Sequence, residues 1–170
     1  EVTAEFAVDE LVAPVELRVK PHFEIACKTD IGRVREINED KFEYFLVEDH
    51  ETLATRGSVF VVCDGMGGHA AGQIASELAS KTFIESYYQH VGTDPMEAAR
   101  SAIHLAHRFV MNVQAAIPSR RGMGTTMDAV AFCQDHAILS HIGDSRVYRL
   151  RGGTLEQITK DHSWVQDMVD

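Results

Sequence analysis

The chain has 170 residues, 45% of them apolar and 25% charged, which suits one globular domain with a buried core and gives no sign of disorder. Its formal net charge of -10 disfavours a sequence-independent grip on nucleic acid or an anionic membrane, since both select for clusters of Lys and Arg, and makes metal cations the more natural partners. No apolar run approaches a membrane span and no signal peptide opens the sequence, so a cytoplasmic protein is expected.

Residues 1–21 mix apolar and acidic side chains around Pro14 and Pro21 and read as an N-terminal extension with at most a short edge strand over 15–19. From Phe23 the apolar residues alternate (Phe23, Ile25, Cys27), a strand pattern that turns at Asp30 to Gly32; a second strand pattern covers 42–47. Arg35, Glu39 and Asp40 fall between the two. Residues 48–57 are polar, end in Gly57 and read as a surface loop.

The run Val59-Phe60-Val61-Val62-Cys63 is a strand pattern without a charge, expected to be buried on both faces, and it delivers Asp64 into the glycine-rich turn Gly65-Met66-Gly67-Gly68. A helix is expected over 70–90, with Ala71, Ile74, Ala75, Leu78 and Ala79 as one stripe and Phe83, Ile84 and Tyr87 widening it. Asp94, Pro95 and Glu97 mark the start of a second helix, whose face Met96, Ala99, Ile103, Ala106, Val110, Val113 and Ile117 runs to Pro118. Strands are then expected over 126–133, 137–142, 146–150 and 154–158, with Gln134-Asp135 and Gly152-Gly153 as hairpin turns. Asp161-His162-Ser163 reads as a helix start with no cap before Asp170; together with the opening Glu1 this is read as a piece of a longer domain. Strands, two helices, then hairpins give an α+β fold with antiparallel sheets. Cys27, Cys63 and Cys133 lie in apolar runs without C-x-x-C spacing and are expected to be reduced core residues.

Three acidic points, Glu39-Asp40, Asp64 and Asp144, stand at strand ends or adjoining turns. Carboxylates gathered in a fold repel one another and lose hydration, so they need protonation or a cation to coexist. Hard divalent ions with oxygen ligands suit them, and Gly65 lets a backbone carbonyl approach as a further ligand. Arg35 supplies a planar fork that suits phosphate oxygens.

Arg35-x-x-Asn38-Glu39-Asp40, Val62-Cys63-Asp64-Gly65-Met66-Gly67-Gly68-His69 with Ala75-Ser76, Gly122-Met123-Gly124-Thr125-Thr126, His141-Ile142-Gly143-Asp144-Ser145-Arg146-Val147-Tyr148 and Thr159-x-Asp161-His162-Ser163 occur in this order. Together they resemble the motifs of the metal-dependent protein phosphatases of the 2C type in their bacterial form, from about Phe23 onward. The resemblance implies a sandwich of two antiparallel sheets flanked by helices (α-β-β-α), with residues 22–170 as the N-terminal part of the catalytic domain, truncated before the last strands and helices. It implies Mn2+ or Mg2+, two or more ions in a complete site: Asp64 bridging two of them, Glu39 and the Gly65 carbonyl completing one, and Asp144 serving a further, weaker site. Asp40 would hold the waters of that centre and Arg35 the substrate phosphate. The implied reaction is hydrolysis of phosphoserine and phosphothreonine in proteins by a metal-bridged water, on substrates phosphorylated by a cognate Ser/Thr kinase.

Two departures from the family pattern stand out. Met66 replaces the His that animal members carry after the Asp-Gly pair, and the later Asp-Gly and Asp-Asn motifs that supply more ligands would lie beyond Asp170, so an incomplete centre with little activity is expected of this piece alone. Two other readings exist. Gly65-Met66-Gly67-Gly68-His69-Ala70 also fits a dinucleotide-binding turn, which would need a parallel sheet, and the fold could serve a non-catalytic binding or sensory module.

Overall fold

The computed structural model describes residues 15–68 and 70–162. Its elements run β1 (Asp40–Phe45), α1 (His50–Thr55), β2 (Ser58–Met66), α2 (Ala70–Gln89), α3 (Pro95–Ala116), β3 (Gly124–Thr125), β4 (Met127–Cys133), β5 (His136–Ile142), β6 (Tyr148–Arg151) and β7 (Thr154–Gln157), with one 3₁₀ turn at Pro118–Arg120. The sheet is ordered β1-β2-β4-β5, with β3 paired to the end of β2, and β6 and β7 form a separate hairpin. Every ladder among the described residues is antiparallel, which removes the parallel sheet that a dinucleotide-binding fold would need.

The core follows from strand periodicity. Val59, Val61 and Cys63 project to one face of β2, where they meet Ala75, Ala79, Phe83 and Tyr87 of α2 and, behind them, Ala98, Ala102 and Ala106 of α3. Small residues let the two helices approach, and burying a ring such as Phe83 contributes about 1.5–3 kcal/mol. Tyr87 Oη donates to the carbonyl of Arg56 at 2.7 Å, and the buried Arg56 guanidinium donates to the carbonyls of His90 and Gly92. It thereby satisfies backbone acceptors just past the end of α2. Asp94 caps α3 as its sequence signals require, accepting from the Met96 amide at 2.8 Å. Asp94→Ala is expected to cost about 1 kcal/mol of stability, measured by chemical denaturation.

Several sequence expectations are corrected. The other face of β2 is only partly covered: Phe60 packs against the rings of Phe23 and Phe132, but Val62 is 52% exposed, because among the described residues the helices lie on one side of the sheet. Residues 48–57 contain α1 rather than a loop alone; Asp49 accepts from the Thr52 amide at 2.8 Å and the turn buries Leu53 and Ala54. Residues 23–27 form no strand. Phe23 instead packs its ring on Phe60 and Phe132, with centroids 5.1 and 5.4 Å apart, while Cys27 is exposed rather than in the core. Residues 15–19 are likewise no edge strand but are held by the Gln134 side chain, which accepts from the Arg18 amide at 3.0 Å and donates to the Glu16 carbonyl at 2.8 Å. On α3 the expected Ala99, Ala106 and Val110 are buried and Ile103 and Val113 pack on the core, joined by Ala98 and Ala102, while Met96 and Ile117 at the two ends are exposed. The helix start expected after His162 lies outside the described residues, as does His69. No helix among the described residues is long and apolar enough to cross a membrane.

Candidate metal centre

Antiparallel register places Asp40 directly opposite Asp64 at the end of the β1–β2 ladder. Glu39 precedes β1 by one residue, and its carbonyl accepts from Ser76 Oγ of α2 at 2.6 Å and from the Gly65 amide at 3.2 Å. Two glycines make that convergence possible. A Cβ on Gly65 would stand 2.2 Å from the Gly72 carbonyl oxygen, and a Cβ on Gly72 would stand 2.3 Å from Glu39 Oε1. Strand and helix therefore close on Glu39, which is only 7% exposed. Asp64 is fixed through its backbone: its amide donates to Thr126 Oγ1 at 3.0 Å, and its carbonyl accepts from the Thr126 amide at 2.9 Å and Thr125 Oγ1 at 3.0 Å. Thr126 Oγ1 also bonds Ser145 Oγ, tying the Asp64 strand to the turn that carries Asp144.

A cleft of about 450 Å³ results, with Arg35, Glu39, Asp64, Gly65, Thr126 and Asp144 among its walls, and Asp40 lines an adjoining hollow together with Arg35, Glu39 and Asp64. Five of the six residues expected from sequence to share a phosphate and metal site thus line one cleft, with Asp40, the sixth, beside it. Partial burial, followed by the charges of Asp40 and Asp144, holds the Asp64 carboxyl above the usual carboxylate range. Arg35 donates to Glu39 Oε2 at 2.5 Å while staying 71% exposed, so its guanidinium reaches both the acid and the cleft.

Glu39 Oε1 is buried with no hydrogen-bond partner. An orphaned carboxylate oxygen is costly to bury, and a cation is the partner its charge calls for. The donor set of carboxylates and a backbone carbonyl fits a hard divalent ion. Among the described residues no three His, Cys, Asp or Glu side chains are gathered tightly enough to enclose one ion.

Sequence reasoning missed Gly72, whose place in an otherwise helical run was the available signal. It also missed the Asp128–His141 pair on neighbouring strands, whose Oδ1 and Nδ1 are 2.7 Å apart; no local spacing announces a cross-strand pair.

Acids at the mouth of an antiparallel α+β sheet accompany a match of the protein phosphatase 2C family model to residues 33–165, and the chain belongs to that family. Its sequence is 36% identical over 145 residues to the serine/threonine protein phosphatase PstP of Mycobacterium tuberculosis, covering 85% of this chain and 26% of that protein. It is 34% identical over 151 residues to the protein phosphatase PhpP of Streptococcus pneumoniae, covering 86% and 58%. The fold is similar to the crystal structure of the PstP catalytic domain in complex with two manganese ions, with a TM-score of 0.69 at 36% identity over 84% of this chain and 57% of that one. The chain thus spans less than two thirds of the length of these relatives.

Proposed function

We propose that this protein hydrolyses phosphoserine and phosphothreonine in proteins with the help of manganese or magnesium. In this reading Glu39, Asp64 and the Gly65 carbonyl would hold the ions, and Asp144 would serve a further, weaker site. The observation that carries it is the orphaned Glu39 Oε1, buried in the cleft it shares with Asp64. The names of the relatives and the manganese in PstP support the substrate class and the metal. Bound divalent ions would supply positive charge against the phosphate and make water acidic enough to act as a nucleophile near neutral pH.

The chain's own groups divide the remaining work. Arg35 offers its guanidinium to phosphate oxygens and offsets the charge that develops on them during attack. The Asp40 carboxylate accepts hydrogen bonds from water and orients it toward phosphorus. Met66 has no proton to give, so the departing Ser or Thr oxygen takes its proton from water. A cognate Ser/Thr kinase is the reaction that supplies such substrates. Free thiols at Cys27, Cys63 and Cys133 are in keeping with a reducing, cytoplasmic setting.

The test is phosphate release from a phosphothreonine peptide by the full protein. Turnover is expected with Mn2+ and none with a chelator. Binding of the peptide without turnover under both conditions would favour the non-catalytic module instead.

A further inference from the structure

The turn that carries Asp144 is stitched along its length to one later segment, residues 158–162. The Val147 amide donates to Thr159 Oγ1 at 3.1 Å and the Ile158 amide to the Val147 carbonyl at 2.8 Å. Arg146 grips Asp161 with two arms, Nε to Oδ1 at 2.9 Å and an Nη to Oδ2 at 2.6 Å, although Asp161 is only 13% exposed. The His162 amide donates to the Gly143 carbonyl at 2.8 Å, on the other side of Asp144. Beneath this lies His141, whose Nδ1 is 2.7 Å from Oδ1 of the buried Asp128 and whose Nε2 is 2.8 Å from the Lys160 carbonyl oxygen, with its ring 4.6 Å from that of His162.

Neither Asp161 nor His141 lines the cleft; Asp161 holds Arg146, two residues past Asp144, and His141 lies against the segment that carries Asp161, through the Lys160 carbonyl and the His162 ring. A carboxylate on an exposed turn would sample many positions, and ordering it would then cost affinity on every binding event. Here Gly143 and Arg146 are fixed on either side of it, and Thr126, itself bonded to the Asp64 backbone, fixes Ser145. We propose that the Arg146–Asp161 clamp, seated on the Asp128–His141 pair, is a positioning device that sets the affinity of Asp144 for its cation. The inference rests on the reading of Asp144 as a ligand given above.

Calorimetric titration of the metal-free full protein with Mn2+ tests it, in the wild type, Asp161→Asn, Arg146→Lys and Asp144→Asn. Asp161→Asn is expected to weaken the weakest Mn2+ site by roughly tenfold or more, as loss of a ligand's supporting partner does, and leave the tighter sites unchanged. Arg146→Lys keeps the charge but loses the fork, and should give a smaller shift in the same site. Melting in chelator provides the readout for a merely structural role. If Asp161→Asn lowers the melting temperature and weakens all sites together, or leaves the isotherm unchanged while Asp144→Asn removes the weakest site, the positioning role is overturned. If Asp144→Asn itself leaves the isotherm unchanged, the ligand reading beneath it is what fails.

Discussion

Asp64→Asn is expected to abolish metal-dependent phosphate release while making the metal-free protein more stable at neutral pH. The loss of turnover should exceed about a hundredfold, the upper end of what removing a mere supporting partner of a metal ligand costs. The stability gain follows from the sign of the shift at Asp64. Its carboxyl is held above its ordinary value of 3.8 by partial burial and by Asp40 and Asp144, so the folded state binds that proton more tightly than the unfolded chain does. This group therefore favours folding at low pH. Its contribution is lost as pH rises from the ordinary value through the raised one, and Asn, which cannot ionise, removes that loss. Melting curves in chelator between about pH 4 and pH 7 should show the wild type and the variant drawing apart as pH rises. Added Mn2+ should reverse their order, because the wild type alone gains binding energy from the ion. A variant less stable than the wild type in chelator at neutral pH would mean that Asp64 is not a carboxylate strained by its neighbours.

Gly72→Ala carries the second large effect, and the expected sign is opposite to the usual one. In an exposed helix interior, Gly→Ala stabilises by about 1 kcal/mol. At Gly72 the new methyl would stand 2.3 Å from Glu39 Oε1, 2.8 Å from its carboxyl carbon and 2.9 Å from the Gly65 carbonyl carbon. The last is backbone, and the Glu39 side chain is buried, so there is little room to yield. Overpacking of this kind costs about 1–3 kcal/mol, which outweighs the propensity gain. Lower stability by denaturant unfolding should be accompanied by weakened Mn2+ binding, since the displaced group is the proposed ligand. A stabilised Gly72→Ala protein with normal Mn2+ binding would show that helix and acid are not packed as described.

Much of this architecture was legible in the sequence because its signals are local. Asp94, Pro95 and Pro118 bracket α3, the hairpins at Gln134 and Gly152 fall where the turn residues lie, and the acids at strand ends meet because antiparallel pairing returns each strand to the same edge. What escaped was set by contacts distant in sequence. Phe23 is anchored by rings from β2 and β4 rather than by a backbone ladder, so its period-two pattern announced a strand that has no partner among the described residues. Helix α1 is too short to show a period and rests on one cap and two buried residues. Val62 shares the composition of its buried neighbours, and only the placement of α2 and α3 on the Val59, Val61 and Cys63 side decides that it stays exposed. At the site, carboxylates could be counted in advance, but the glycine that makes room for Glu39 lies inside a helix, and Asp128 meets His141 only through the β4–β5 register.

The Gln134 latch has a practical corollary. Met127 and Cys133 sit at opposite ends of β4, a strand about 20 Å long, with the acids next to the first and the latch just beyond the second. Residues 16–19 are thus tethered at the far pole of the sheet, so a fluorophore or an immobilising linker attached to a cysteine placed at Arg18 would stand clear of the acidic cleft.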